Sequence, residues 1–327
     1  MELKMDKLKL ALYWAASCGG CDVAVLDINE NILKLADIAD IIFWSIAFDF
    51  KYNDVETMDD NYIDVCLFNG AIITSENERV ARLLRAKSKT LIAFGSCSCF
   101  GGIPALANFS NSTDIMNYSY LAAPSNDNPT GTLPQILTKV NEGLLELPEL
   151  YDTVKTLAQV VPVEYFLPGC PPPVNLIIDL VGKLAKNELP VIGSTLTPKK
   201  TVCDECPLKK ENKCISKVFR PHELIPEPER CLLEQGLICC GPATRAGCGA
   251  ACIKAGMPCR GCFGPPEGIT DQGAKLVSAI ASIYDAKSED EIGRMVNEVV
   301  DPAGTFYRFA MANSILKKKQ FQEKIHE

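Results

Sequence analysis

At 327 residues, 47% of them hydrophobic and 23% charged, the chain can bury a sizeable core and is expected to form two domains rather than a disordered or fibrous polymer. Its 33 basic and 41 acidic residues leave a net charge of -8 and no basic stripe, which argues against nucleic acid as a partner. No stretch reaches the ~18 to 20 uninterrupted apolar residues of a membrane span, so a soluble protein is expected.

The opening "KLKLALYWAASC" has a superficial likeness to a secretory leader, but its apolar run, residues 10–16, is at the short limit for one, and no twin-arginine pair precedes it. It reads as a buried first strand, which points to the cytoplasm. In that reducing compartment sixteen cysteines favour metal ligation over disulfides.

Strand and helix signals then alternate. After "CGGC", residues 22–39 carry helical periodicity through Val25, Leu26, Ile32, Leu33 and Leu35. "IIFWSIAF" (41–48) reads as a second strand and "YIDVCLFNGAI" (62–72) as a third. "SENERVARLLRAKSK" (75–89) is a helix opened by the capping-box pair Ser75 and Glu78. "TLIAFGS" is a fourth strand, and residues 108–133, rich in Asn, Ser, Thr and Pro, form a long surface excursion. "VPVEYFL" is a fifth strand, followed by a helix over residues 174–186. This order predicts an α/β fold for residues 1–196, a doubly wound, mostly parallel sheet of the flavodoxin-like type.

On that sheet "CGGC" follows strand one, "GSCSCFGG" strand four and "PGCPPP" strand five, all at carboxyl ends, the edge where open parallel sheets gather ligands. Cys18, Cys21, Cys97 and Cys170 can therefore converge, with Cys99 a competitor for Cys97. Adjacent glycines let the backbone approach a bulky inorganic core, and the prolines after Cys170 stiffen the turn. Four thiolates suit zinc or a 4Fe-4S cluster. A structural zinc normally holds together a module with little core, so iron-sulfur is the better reading here. Cys66, inside a predicted strand, reads as a small buried hydrophobe.

Residues 197–327 differ in kind. "CDEC", "KC", "RCLLEQGLICCGP" and "RAGCGAACIKAGMPCRGC" are dense in Cys, Pro and Gly, with too few apolar residues to build a core alone, so clusters would serve as the core. A zinc-finger reading expects paired knuckles, often with His; His222 and His326 stand in no ligand-like spacing and read as surface residues. The run Lys317, Lys318 and Lys319 reads as a solvated helix face.

The set "CGGC", "GSCSCFGG", "PGCPPP", "CLLEQGLICCGPATRAGCGA" and "MPCRGCFGP" resembles the small, electron-transferring subunit of NiFe hydrogenases, over about residues 8–266. It is most similar to the cytoplasmic methyl-viologen-reducing, non-deazaflavin-reducing type of methanogenic archaea. The resemblance implies three 4Fe-4S clusters carrying electrons from a nickel-iron centre on a separate large subunit. It assigns the proximal cluster to Cys18, Cys21, Cys97 and Cys170, the medial one to Cys248, Cys252, Cys259 and Cys262, and the distal one to Cys203, Cys206, Cys231 and Cys239. Cys214 and Cys240 are alternates at the distal site.

Two departures from the periplasmic members stand out: Cys203 replaces the His that begins their distal motif, and Cys252 adds a fourth thiolate where they generally carry three. A complete medial cubane should have a lower potential. The implied partners are the hydrogenase large subunit and, beyond the distal cluster, a small iron-sulfur acceptor subunit linked to heterodisulfide reductase. A sulfhydrogenase with a flavin NAD(P)-linked partner, the cluster-bearing subunit of a respiratory quinone reductase, and a stand-alone carrier or zinc-stabilised scaffold are the competing readings. In the hydrogenase reading the chain is an enzyme subunit that holds no catalytic residue of its own.

Overall fold

The computed structural model describes residues 7–316; the lysine run at 317–319 and His326 lie outside them. Five parallel strands form the central sheet: β1 (Leu8–Trp14), β2 (Ala39–Trp44), β3 (Ile63–Asn69), β5 (Ser88–Phe94) and β9 (Tyr165–Leu167), in the order β2-β1-β3-β5-β9. This is the doubly wound arrangement that the alternation of signals predicts, with the order reversing after β1.

Both faces are covered, and the strands alternate accordingly. Leu10 and Leu12 of β1 join a core with α1 (Gly20–Leu26), α2 (Asn31–Ile38) and α7 (Val174–Lys186), whereas Ala11 and Tyr13 point to the opposite core. That second core includes Val55 of α3 (Tyr52–Glu56), Val80 and Leu84 of α4 (Ser75–Lys87), and Cys99 and Phe100 of α5 (Ser96–Phe100). Such two-sided burial explains why the strands read as near-continuous apolar runs. Cys66 is fully buried in this second core.

The structure corrects several boundaries. Residues 22–39 are not one helix: α1 and α2 are separated by a turn in which Asn29 is left-handed, with φ 55°. Asn is one of the few residues that tolerates this conformation, and the break lets Ile28 enter the core. The second strand stops at Trp44, because the amides of Ala47 and Phe48 fold back onto the Trp44 carbonyl. The third stops at Asn69, where residue 71 leaves the sheet to pair antiparallel with Ala16. β4 (Ile72–Thr74) then pairs antiparallel with β8 (Leu150–Lys155).

The capping box is displaced by one residue. Thr74 caps α4 by accepting from the Asn77 amide at 3.2 Å, while Ser75 Oγ accepts from the Glu149 amide at 3.0 Å and Glu78 pairs with Arg82. The surface excursion is more structured and longer than its composition implies. It contains α6 (Ser112–Asn117) and continues into an antiparallel hairpin of β6 (Leu137–Val140) and β7 (Gly143–Glu146).

Beyond residue 197 the chain is mostly turns and single helical turns around a small core in which Cys239, Cys240 and Cys259 pack with Leu232, Leu237, Ile253 and Leu276. Among the described residues there, regular helix is confined to α8 (Ala251–Lys254), α9 (Gln272–Ala281), α10 (Glu289–Asn297) and α11 (Pro302–Phe306). The end of the described chain returns to the sheet. Ala310 enters the core beneath β3, and Gly102 donates to the Phe309 carbonyl at 3.1 Å. No helix among the described residues is long and apolar enough to cross a membrane.

Candidate metal centres

All sixteen cysteines are free thiols, and twelve of them fall into three neighbouring groups. The first lies at the carboxyl edge of the sheet. The turn after β1 supplies Cys18 and Cys21, the start of α5 after β5 supplies Cys97, and the turn after β9 supplies Cys170. Burial pushes the Cys21 thiol far up, and repulsion from Cys97, Cys170 and Cys18 pushes it further. Cys97 is pushed up to about 12, first by burial and then by Cys170 and Cys18. The four sulfurs therefore face one another.

Glycines make this approach possible. Gly95, with φ 86°, lies against the Cys21 sulfur, where a side chain would collide, and a Cβ on Gly102 would stand 2.5 Å from the Cys97 sulfur. Cys99 faces away: its sulfur donates to the Ala93 carbonyl at 3.3 Å inside the second core.

Beneath the "CGGC" turn lies a polar network that sequence patterning does not disclose. Trp44 Nε1 donates to Asp22 Oδ1 at 2.8 Å, Asn69 Nδ2 donates to the other carboxylate oxygen, and Ser17 Oγ donates to Asn69 at 2.7 Å. Burial raises the Asp22 pKa even though both bonds favour its charged form. The aspartate adjoining Cys21 thus ties the turn to β2 and β3.

The second group comprises Cys248, Cys252, Cys259 and Cys262. Cys262 is pushed up to about 12 by burial, then by Cys248 and Cys170, with Cys252 also near. Cys259 is likewise pushed up to about 12, by burial foremost and with Cys262 and Cys248 adding repulsion. Cys252 is exposed on α8.

The third group lines a cavity of about 410 Å³, shared by Cys203, Cys206, Cys231 and Cys239 with Cys214 at its wall. Burial raises Cys203, and Cys231 and Cys206 repel it; Cys239 is pushed up to about 12 by burial, with Cys259 and Cys203 adding repulsion. Cys214 is exposed, and Cys240 is buried against Cys259 with its amide on the Cys259 carbonyl at 2.9 Å. His222 is exposed and does not line this cavity.

Successive groups touch. Ser96, beside Cys97, donates its hydroxyl to the Cys262 carbonyl, and the Cys259 amide donates to the Cys239 sulfur at 3.3 Å. The three groups therefore form a row.

The donor set fits iron-sulfur groups. Among the described residues no three His, Cys, Asp or Glu side chains close on a point that would hold one metal ion. A tetrahedral zinc, with Zn–S of about 2.3 Å, would need its thiolates packed against each other. The third group instead surrounds a cavity of about 410 Å³. Cys21, Cys97, Cys170, Cys203, Cys239, Cys259 and Cys262, whose thiols burial and neighbouring sulfurs push up, would become tolerable thiolates only around a strongly cationic core.

The family described as "NADH ubiquinone oxidoreductase, 20 Kd subunit" matches residues 18–184, the sheet and its first thiol group. Over nearly the whole chain the relatives are more specific. The iron-sulfur subunit of the F420-non-reducing hydrogenase of Archaeoglobus profundus is 36% identical, covering 96% of this chain and 99% of its own. The corresponding vhu-type F420-non-reducing hydrogenase subunit of Methanocaldococcus jannaschii is 36% identical over 95% of this chain and 98% of its own. Among solved structures, a chain of an NAD+-reducing NiFe hydrogenase in the H2-reduced state is 28% identical, covers 57% of this chain and 94% of that one, and has a TM-score of 0.48. This chain belongs to the small-subunit family of NiFe hydrogenases, on the branch of the non-deazaflavin-reducing enzymes of methanogens and their archaeal relatives.

Proposed function

We propose that the chain is the electron-relay subunit of a cytoplasmic hydrogenase and that each thiol group holds one 4Fe-4S cluster. Cys18, Cys21, Cys97 and Cys170 would hold the proximal one, Cys248, Cys252, Cys259 and Cys262 the medial, and Cys203, Cys206, Cys231 and Cys239 the distal. Bound there, the clusters supply one-electron acceptor and donor sites of tunable potential. The contact of successive thiol groups, Ser96 beside Cys97 on the Cys262 carbonyl and Cys259 on Cys239, is the observation that carries this reading.

The residues around the proximal thiols suit a docked partner. Cys18 and Cys170 are exposed, and Trp14, Val23, Leu26, Ile46 and Phe48 present apolar surface around the "CGGC" turn. The nickel-bearing large subunit would cover this face, and hydrogen would be split there and not on this chain. At the other end, the acceptor would be a small iron-sulfur subunit leading to heterodisulfide reductase. Residues 1–196 would form the proximal-cluster domain and residues 197–327 the domain of the other two.

Metal analysis of the anaerobically purified protein tests the reading: about twelve irons per chain and little zinc are expected. Iron near four, or stoichiometric zinc, would overturn it. Separated from its large subunit, the chain should lose all hydrogen oxidation while its clusters stay chemically reducible.

A further inference from the structure

Two side chains inside the cysteine motifs carry no thiol, yet each reaches from one thiol group to the next. Ser96 is 1% exposed, immediately before Cys97. Its hydroxyl donates to the Cys262 carbonyl, and its amide donates to the Gly169 carbonyl at 2.8 Å, next to Cys170. One buried residue therefore ties together the loops of Cys97, Cys170 and Cys262.

Glu205 lies between Cys203 and Cys206 in "CDEC". Its two carboxylate oxygens accept from the amides of Gly247 and Gly249, each at 2.9 Å. These amides flank Cys248 on both sides. The carboxylate thus clasps the loop of a second-group thiol from within a third-group motif. Charge-assisted bonds to a carboxylate are the stronger kind.

We propose that Ser96 and Glu205 are positioning residues that fix the spacing between neighbouring thiol groups, Ser96 at the first junction and Glu205 at the second. The idea rests on the relay reading above, because spacing matters only if electrons cross both junctions. Its structural content, that each side chain fastens two loops, is independent of that reading. The loops concerned contain few regular hydrogen bonds, since residues 245–264 are mostly turns. Loss of either fastener, Ser96 buried and Glu205 half-buried, is therefore not compensated by a helix or a strand ladder.

The test uses the whole complex purified anaerobically, with Ser96→Ala, Ser96→Thr, Glu205→Ala and Glu205→Gln. Hydrogen exchange reads the loops, and electron paramagnetic resonance reads the spin interaction between neighbouring reduced clusters. Ser96→Ala should speed exchange of the amides at 261–263 about fivefold to tenfold and weaken the proximal–medial interaction, leaving the medial–distal one unchanged. Ser96→Thr should restore both. Glu205→Ala should do the converse, speeding exchange at 247–249 and weakening only the medial–distal interaction, with Glu205→Gln intermediate because it keeps one acceptor oxygen.

Unchanged exchange and unchanged interactions at full iron content would overturn the proposal, as would equal damage at both junctions from either change. Where an alanine variant fails to fold, Ser96→Cys and Glu205→Gln carry the same expected directions. A wild-type protein lacking the medial cluster would defeat the relay reading instead, while the exchange measurements would still judge the two fasteners.

Discussion

The two halves of the chain bring thiols together by opposite means. In the first, four cysteines scattered over 153 sequence positions, 18 to 170, meet because a sheet with two full apolar faces carries their loops to one edge. In the second, ten cysteines lie between 203 and 262, and the thiols themselves make up part of the core. The contrast teaches where metal matters for stability. The sheet can fold on hydrophobic burial alone, and its thiol site is an addition to a finished scaffold. The second half has a smaller apolar core that its own thiols help to fill, so metal bound there would contribute folding free energy.

Stripping iron breaks this comparison most severely. After anaerobic chelation, amides in residues 200–264 should lose hydrogen-exchange protection by on the order of 1000-fold, within the ~10 kcal/mol or more that a structural metal site can supply. Amides of β1, β3 and β5 should stay within about tenfold of their original protection. If both halves lose protection together, the sheet depends on its cluster and the contrast is wrong.

Within the first half, the paired thiols of "GSCSC" sharpen the same point. Cys97 faces Cys21 and Cys170, whereas Cys99 is 3% exposed in the core and bonded to Ala93. Cys97→Ala should cost the proximal cluster, taking iron from about twelve to about eight per chain and abolishing hydrogen-dependent reduction of the other clusters. Cys99→Ala should keep all iron and cost only about 1 to 2 kcal/mol, measured by denaturant unfolding, for a small core void. A swap of these outcomes would make Cys99 the ligand.

Much of this was legible beforehand, for identifiable reasons. Parallel strands buried on both faces leave continuous apolar runs, so the sheet, its order and the convergence of Cys18, Cys21, Cys97 and Cys170 follow from pattern and topology. Helix α7 matches the expected residues 174–186 because its periodicity is uninterrupted. Periodicity is blind to the local turns that break the helix at Asn29 and end β2 at Trp44, and to the distant Ser75–Glu149 contact that leaves the cap to Thr74. The same applies to Asp22, Ser96 and Glu205. All three lie within or beside cysteine motifs, but their partners are 22, 73 and 42 positions or more away. The return of residues 309–312 to the sheet has no sequence signal beyond a short apolar run.

A smaller effect is expected at the medial site. Cys252 lies on the first turn of α8, and its own amide is not among the donors of that turn, so proline can enter there without removing a backbone bond. Cys252→Pro should leave three thiolates at this site, and the iron without a ligand should be lost. We expect about one iron fewer per chain, a three-iron signal in the oxidised protein and a raised medial potential, with the other clusters intact. Full iron and unchanged four-iron signals would remove Cys252 from the ligands and turn attention to buried Cys240.

The smallest effect belongs to the fifth thiol of the distal cavity. Cys214 lines that cavity with Cys203, Cys206, Cys231 and Cys239, so position alone makes it a rival ligand. Its surroundings argue otherwise. Cys203 is repelled by Cys231 and Cys206, and Cys239 by Cys203, which links the four as one group; Cys214 is exposed and contributes to none of these thiols. The residues beside it, Lys213 and Glu211, are surface groups paired with each other. Cys214→Ser should therefore leave iron content, cluster signals and hydrogen-dependent reduction within error of wild type, with a stability change inside about 0.5 kcal/mol. The matched control is Cys231→Ser, which should lose the distal cluster and, with it, delivery to any acceptor. If Cys214→Ser loses the distal signal while Cys231→Ser retains it, the cavity uses the exposed thiol, and the second half would bind its metal at the surface rather than around its own core.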